Sequence, residues 1–147
     1  MDRPPLYSGV EIGWPIIVTC DFGMVALAVG FAVSGLPEML WAMAPLLAVT
    51  LLFGIQTNEV WPGEVRVRLG IGLIGKTWRL GEVREASVVR RMWIEGWGIR
   101  WNLGNRWTWA VSGLDAVELH FADGGVLRIG TAKPAEMLDA INAARGR

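Results

Sequence analysis

The sequence predicts an α+β membrane protein, in which a two-helix transmembrane hairpin precedes a seven-stranded antiparallel barrel or sandwich capped by a C-terminal helix. Three observations predict this. Two apolar runs, Ile16 to Val33 and Met39 to Ile55, are separated only by Ser34-Gly35-Leu36-Pro37-Glu38. Beyond Gly63 the pattern changes to short alternating stretches divided by turn residues. The last stretch, from Pro134, spaces its apolar residues as a helix does. The chain so divides into a leader (1–15), a hairpin (16–57) and a domain (64–147).

The leader is rich in Pro and Gly and lacks the basic start of a cleaved signal peptide. It is expected to lie along the membrane surface or against a partner. Each apolar run approaches the roughly 17–25 residues that a helix needs to cross a bilayer core. Core helices of soluble proteins carry a polar stripe, whereas the only formal charge inside either run is Asp21. Gly35 and Pro37 supply the turn. Ala26 and Gly30 form a small-xxx-small pair suited to close helix approach. Trp14, Trp41 and Trp61 fall at run edges, so Trp14 and Trp61 are expected at one interface and Trp41 at the other. A carboxylate within a membrane helix is costly facing lipid. Asp21 is therefore expected to face protein, either Thr50 of the second run or a polar group of a partner subunit.

The 14 basic and 14 acidic residues cancel, but unevenly along the chain. From Val65 to Arg106 basic residues dominate, directly after the second run, while the turn between the runs has no Lys or Arg. The positive-inside rule then places both termini and the domain in the cytoplasm. The single cysteine, Cys20, lies in the first run and precludes an internal disulfide. With one histidine, His120, the chain cannot build an ordinary zinc site.

Asn58 to Gly63 reads as a linker. Val65, Val67 and Leu69 alternate with Arg66 and Arg68 in a first strand. Further strands are expected at Leu73–Leu80, Ala86–Ile94, Gly98–Trp101, Trp107–Val111, Val117–Phe121 and Val126–Ile129. Asp123-Gly124-Gly125 is a strong hairpin signal between the last two. Pro134 starts the closing helix, with Met137, Leu138, Ile141 and Ala144 on its apolar face and Gly146 at its end.

Seven strands and one C-terminal amphipathic helix resemble the pleckstrin-homology-like (PH-like) plan. The stretches Gly96-Trp97-Gly98-Ile99-Arg100, Val111-Ser112-Gly113, Ala116-Val117-Glu118-Leu119 and Asp123 to Thr131 look like bacterial proteins that carry such a domain behind one or two membrane helices. After Gly130-Thr131 this chain has Ala132-Lys133, where relatives often have an acidic residue. The resemblance implies a binding or assembly role at the bacterial inner membrane, with no catalytic residues and no cofactor.

Gly70 to Thr77 matches the phosphate-loop spacing G-x-x-x-x-G-K-[ST]. Such a loop needs a helix after its lysine; here Trp78-Arg79-Leu80-Gly81 reads as strand and turn, so nucleotide is not expected. Arg66, Arg68, Lys76 and Arg79 are candidates for contact with anionic lipid. Trp97, Trp107 and Trp109 crowd a small domain and, with Trp14, Trp61 and Asp21, are candidates for contact with partner or membrane. No nucleophile, paired carboxylates or metal cluster occurs at useful spacing, and neither an enzyme nor a nucleic-acid binder is expected. The expectation is a multi-pass, non-enzymatic scaffold, an accessory subunit of a larger assembly such as a respiratory or photosynthetic complex. The alternative is a standalone anchor that binds anionic headgroups.

Overall fold

The computed structural model describes residues 4–102 and 104–146; Met1–Arg3, Leu103 and Arg147, parts of the expected leader and domain, lie outside the described residues. The elements are β1 (Tyr7–Ile12), α1 (Trp14–Ser34), α2 (Glu38–Phe53), β2 (Ile55–Trp61), β3 (Glu64–Leu69), β4 (Ile74–Arg79), β5 (Val83–Arg90), β6 (Gly98–Asn102), β7 (Arg106–Ala110), β8 (Asp115–Phe121), β9 (Val126–Gly130) and α3 (Pro134–Arg145). The class is α+β, with three helices, two sheets and a C-terminal helix.

The first sheet has the order β1-β2-β3-β4 and the second β5-β8-β9-β7-β6. Among the described residues nine strands replace the expected seven. The two additions are the leader and the linker. Tyr7–Ile12 pairs antiparallel with Ile55–Trp61, Ile12 opposite Ile55. Sequence pattern hides β2 because Gln56 and Asn58, polar residues, point into the interior where apolar ones are the rule. Their amide nitrogens find acceptors there, while Gln56 Oε1 is buried with no partner among the described residues. Gln56 Nε2 donates to Asn58 Oδ1 (2.7 Å) and Asn58 Nδ2 to the Gly130 carbonyl (2.9 Å). Nor is the fold wholly antiparallel, since β7 and β9 run parallel.

Between the sheets lie Val60, Val65, Val67 and Leu69 from one side and Trp109, Val117, Leu119, Leu127 and Ile129 from the other. The third side is closed by Met137, Ile141 and Ala144 of α3. Arg145 anchors the end of that helix by donating to the carbonyls of Val83 and Arg84, both at 2.7 Å.

The helical hairpin is threaded between two neighbouring strands. Gly13 donates its N–H to the Gly54 carbonyl (2.7 Å), closing the root. Gly35, at φ +68°, caps α1 by donating to the Phe31 carbonyl (2.7 Å). The helices approach through Gly23, which faces Leu46, and Gly30, where a methyl group would meet the Met39 sulfur at 2.7 Å. Ala26 is exposed, so the close-packing pair is Gly23 and Gly30, two turns apart.

Only α1, with 21 residues and a mean hydropathy of 2.2 over its most apolar window, is long and apolar enough to cross a membrane among the described residues. The second expected span is shorter than its apolar run. It ends at Phe53 after 16 residues: Gly54 caps it, still donating to the Thr50 carbonyl (2.7 Å), and Ile55 already joins the sheet. At 1.5 Å per residue α2 is about 24 Å long, against about 30 Å of hydrocarbon.

Candidate membrane and partner interfaces

Alternation along β3 and β4 sorts the four basic candidates. Val65, Val67 and Leu69 point inward, so Arg66 and Arg68 project from the outer face. There each meets a carboxylate: Arg66 pairs with Glu64, and Arg68 with Glu59 at 2.7 Å. Arg66 also stacks on Trp61, 5.0 Å from the ring centre. Glu64 faces Arg79 across the strands, which places Arg79 at the far end of the sheet from the hairpin root. Lys76 lies opposite Val67 and so shares the inward face. Its ammonium sits between two indoles, 5.6 Å from Trp78 and 5.8 Å from Trp107. Arg66, Arg68 and Lys76 nevertheless border one open pocket of about 420 Å³ beside the Gly72–Thr77 stretch, while Arg79 lies outside it, so the four do not share a single site.

Lys76 opens on a cleft of about 420 Å³ lined by Trp78, Arg79, Trp107, Phe121 and Asp123. Glu82 and Asp123 on its wall balance Lys76 and Arg79. After Lys76 and Thr77 the chain continues as β4. The helix that would point its N-terminus at a phosphate is not there, and Gly70 to Thr77 is a β-turn and strand.

The tryptophans divide as well. Trp109 is 5% exposed and packs edge-on against Trp78, ring centres 5.4 Å apart. It is a core residue, which corrects its assignment to an interface. Trp61 stands at the end of β2 remote from the root, about 20 Å away at 3.3 Å per residue. It donates to Glu59 (3.2 Å) and does not share an interface with Trp14. Trp14 is exposed at the root and Trp41 near the hairpin turn, one aromatic at each end. Trp97 and Trp107 are part-exposed.

Asp21 is exposed on the outside of the helix pair. The expected clasp does not form: Thr50 donates instead to the Leu46 carbonyl (3.1 Å) and Thr19 to that of Pro15 (2.7 Å). Both hydroxyls are taken up by the preceding turn of their own helices, the local bond open to Ser and Thr within a helix.

Comparison of the chain with family models, with curated proteins and with solved structures gives no match.

One surface departs from the expected strand Ala86–Ile94, since β5 ends at Arg90. Met92 to Trp97 joins the two edge strands of the second sheet and folds over its outer face through a 3-10 turn, Trp93–Glu95. Its underside is pinned by charge. Arg91 donates to the carbonyls of Gly96 (3.1 Å) and Gly113 (2.9 Å), and Arg128 bridges Glu95 (3.2 Å) and Glu118. His120 Nε2 meets the other Glu118 oxygen at 2.8 Å, its one hydrogen bond. Its upper side holds Met92, Trp93 and Ile94 in solvent, with Trp93 74% exposed. The sequence signal for this flap was present as an apolar triplet that breaks strand alternation before Glu95-Gly96.

Burial would raise the Glu118 pKa, but its bonds to Arg128 and His120 outweigh that and hold it below the usual carboxylate value. Burial likewise opposes the charge of Arg128, yet Glu118 and Glu95 push its pKa up. Burial lowers that of Arg91, with Glu95 opposing. Because the folded state binds the Glu118 proton less readily than the unfolded state, this network stabilises the fold above the ordinary carboxylate pKa of about 4.3. That contribution is lost as pH falls through the lower, folded value. Thermal melts in detergent from about pH 6 down to about pH 3 are expected to show a falling midpoint, and Glu118→Gln should flatten the descent. An unchanged slope in the variant would rule the network out as its source.

Proposed function

We propose that the protein is a membrane-anchored, non-enzymatic scaffold with a PH-like domain, an accessory subunit that braces a larger membrane assembly. In this reading α1 and α2 insert together into the bacterial inner membrane, and the domain and both termini lie in the cytoplasm. The observation that carries it is a bare apolar hairpin whose two ends are locked into one sheet. Among the described residues of both helices only Cys20 is buried. Phe22, Val25, Val29 and Val33 of α1, and Leu40, Leu47 and Leu51 of α2, all face outward. Water penalises that much exposed apolar surface and lipid does not.

The register of β1 on β2 supports two crossings. Ile12 and Ile55 are partners, so a chain that leaves the sheet through α1 must return through α2 to the same side. The shortfall of α2 is met by local bilayer thinning, at a fraction of a kcal/mol per Å. The basic stretch that follows supports a cytoplasmic domain.

Two features favour assembly over a solitary anchor. Arg66 and Arg68, the obvious headgroup ligands, are already paired with carboxylates. The exposed Asp21 and the apolar flap at Met92–Ile94 lack cover of the kind that partner subunits provide. Purification from native membranes in mild detergent tests the reading. The expected result is co-elution with other membrane polypeptides, in a particle that resists carbonate extraction; a monodisperse monomer, or release by carbonate, would overturn it. Labelling of Ser34→Cys from the cytoplasmic side alone would invert the topology.

Asp21→Leu separates anchoring from assembly. Removing a carboxylate from an apolar helix should leave membrane association intact or stronger. A polar contact between membrane helices is worth about 1 kcal/mol, so retention in the complex should fall roughly fivefold. Asp21→Asn keeps an acceptor and should retain the complex. Full retention of the leucine variant would show that Asp21 touches no partner.

A further inference from the structure

We propose that the tip of the β3–β4 hairpin, Gly70 to Leu73, is a second membrane contact, which immerses Ile71 and Leu73 at the boundary between headgroups and acyl chains. The proposal rests on the reading that α1 and α2 enter a bilayer. The same stretch carries the phosphate-loop spacing, and its glycines serve a different geometry. Gly70 sits at φ +57° with its backbone pressed against the last turn of α2. A side chain there would overlap the Leu51 carbonyl oxygen and lie 2.8 Å from the Leu52 Cα. The Gly70 N–H donates to the Ile55 carbonyl at 2.7 Å, tying the tip to the hairpin root. Gly72, at φ +89°, turns the chain between two apolar side chains. Both side chains are exposed, Ile71 by 70% and Leu73 by 73%, and Leu73 borders the pocket that Arg66, Arg68 and Lys76 line.

Depth follows from the absence of slack. One residue, Gly13, separates β1 from α1, and one, Gly54, separates α2 from β2. The root cannot stand off from the membrane, because α1 is about 31 Å long and the hydrocarbon core about 30 Å thick. The tip is level with Leu51 and Leu52, one or two residues inside the end of α2. Any bilayer that accommodates α2 reaches the tip as well. Ile12, Trp14 and Ile55 are exposed around the same root and continue the apolar rim. The occupant is lipid, since the patch is continuous with the flank of a membrane helix.

The test uses the full chain with Cys20→Ala, reconstituted in vesicles of phosphatidylcholine and phosphatidylglycerol. A polarity-sensitive fluorophore is placed singly at Leu73→Cys, at Val25→Cys in the middle of α1, or at Glu136→Cys on exposed α3. Quenchers are attached to lipid acyl chains at shallow or deep positions. Val25 should be quenched by the deep probe, and Leu73 by the shallow probe several-fold more strongly than Glu136. If Val25 is quenched but Leu73 behaves like Glu136, the second contact is wrong and the hairpin reading stands. If Val25 is not quenched, both fall. A blue-shifted Leu73 label that no lipid quencher reaches would mean that protein covers the tip, which also overturns the proposal.

Discussion

Replacing Gly70 by valine is expected to remove about 3 kcal/mol or more of stability, the range of backbone strain combined with steric overlap. Two costs add. At φ +57° an L side chain pays about 1–2 kcal/mol for the left-handed conformation. The new Cβ also enters space held by backbone atoms of Leu51 and Leu52, which cannot rotate away as a side chain would. The last turn of α2 or the β3–β4 turn must shift, and the Gly70 bond to Ile55 goes with it. Gly72→Ala is the control, having a positive φ of +89° but open space around it. It should cost only about 1 kcal/mol. Thermal midpoints in detergent, read by tryptophan fluorescence, would compare the two. Equal midpoints would mean that the turn does not bear on the helix.

The second large effect is expected at the other edge of the same sheet. Tyr7, Glu11 and Thr131 are all buried. The Tyr7 hydroxyl bonds Thr131 Oγ1 at 3.0 Å, and Thr131 donates to Glu11 Oε1 at 2.9 Å. The same carboxylate oxygen accepts the Ala132 N–H at 2.8 Å. Thr131→Val keeps the shape and removes the hydroxyl at the centre. The Tyr7 phenol and the Glu11 carboxylate then lose a partner while still buried, at about 1–3 kcal/mol for each group, and the Lys133 N–H loses its 3.1 Å bond to the same hydroxyl. A loss of about 2–4 kcal/mol is expected, and a double-mutant cycle with Tyr7→Phe should show strong coupling. Additive losses in that cycle would mean that water replaces the hydroxyl. The result matters for β1, because this cluster ties the N-terminal strand to the connection between β9 and α3.

The parts of the fold that follow simple physics were legible. Continuous apolar runs announced α1 and α2, alternation announced β3, and turn residues bounded β7, β8 and β9 to within a residue or two. What escaped notice were positions where the interior is polar. Gln56 and Asn58 occupy core positions and hid β2, part of which read as a linker, while the Pro and Gly of the first residues made β1 read as a leader. The hydrogen bonds of Gln56, Asn58 and Glu11 to residues 70 or more positions away are invisible to local pattern. The candidate sites fared by the same rule. Trp14, Trp97 and Trp107 were expected as partner or membrane contacts and are exposed, whereas Trp109, on the same strand face as Trp107, is buried, a difference that alternation alone does not reveal. Composition grouped Arg66, Arg68, Lys76 and Arg79, and the pleat separated them onto two faces.

The order of synthesis gives the threaded hairpin a further meaning. β1 leaves the ribosome before its partner strand Ile55–Trp61, which emerges roughly 40 residues later. Closing a flexible loop of that length carries an entropic cost that grows with its logarithm. A hairpin already docked in a bilayer holds both ends together beforehand and removes most of that cost. In the proposed inserted state, completion of the first sheet would follow insertion, and the Tyr7–Thr131–Glu11 cluster closes only once β9 and the start of α3 have been made. On that reading the domain matures after the hairpin, and its folded state would record that the hairpin has been delivered.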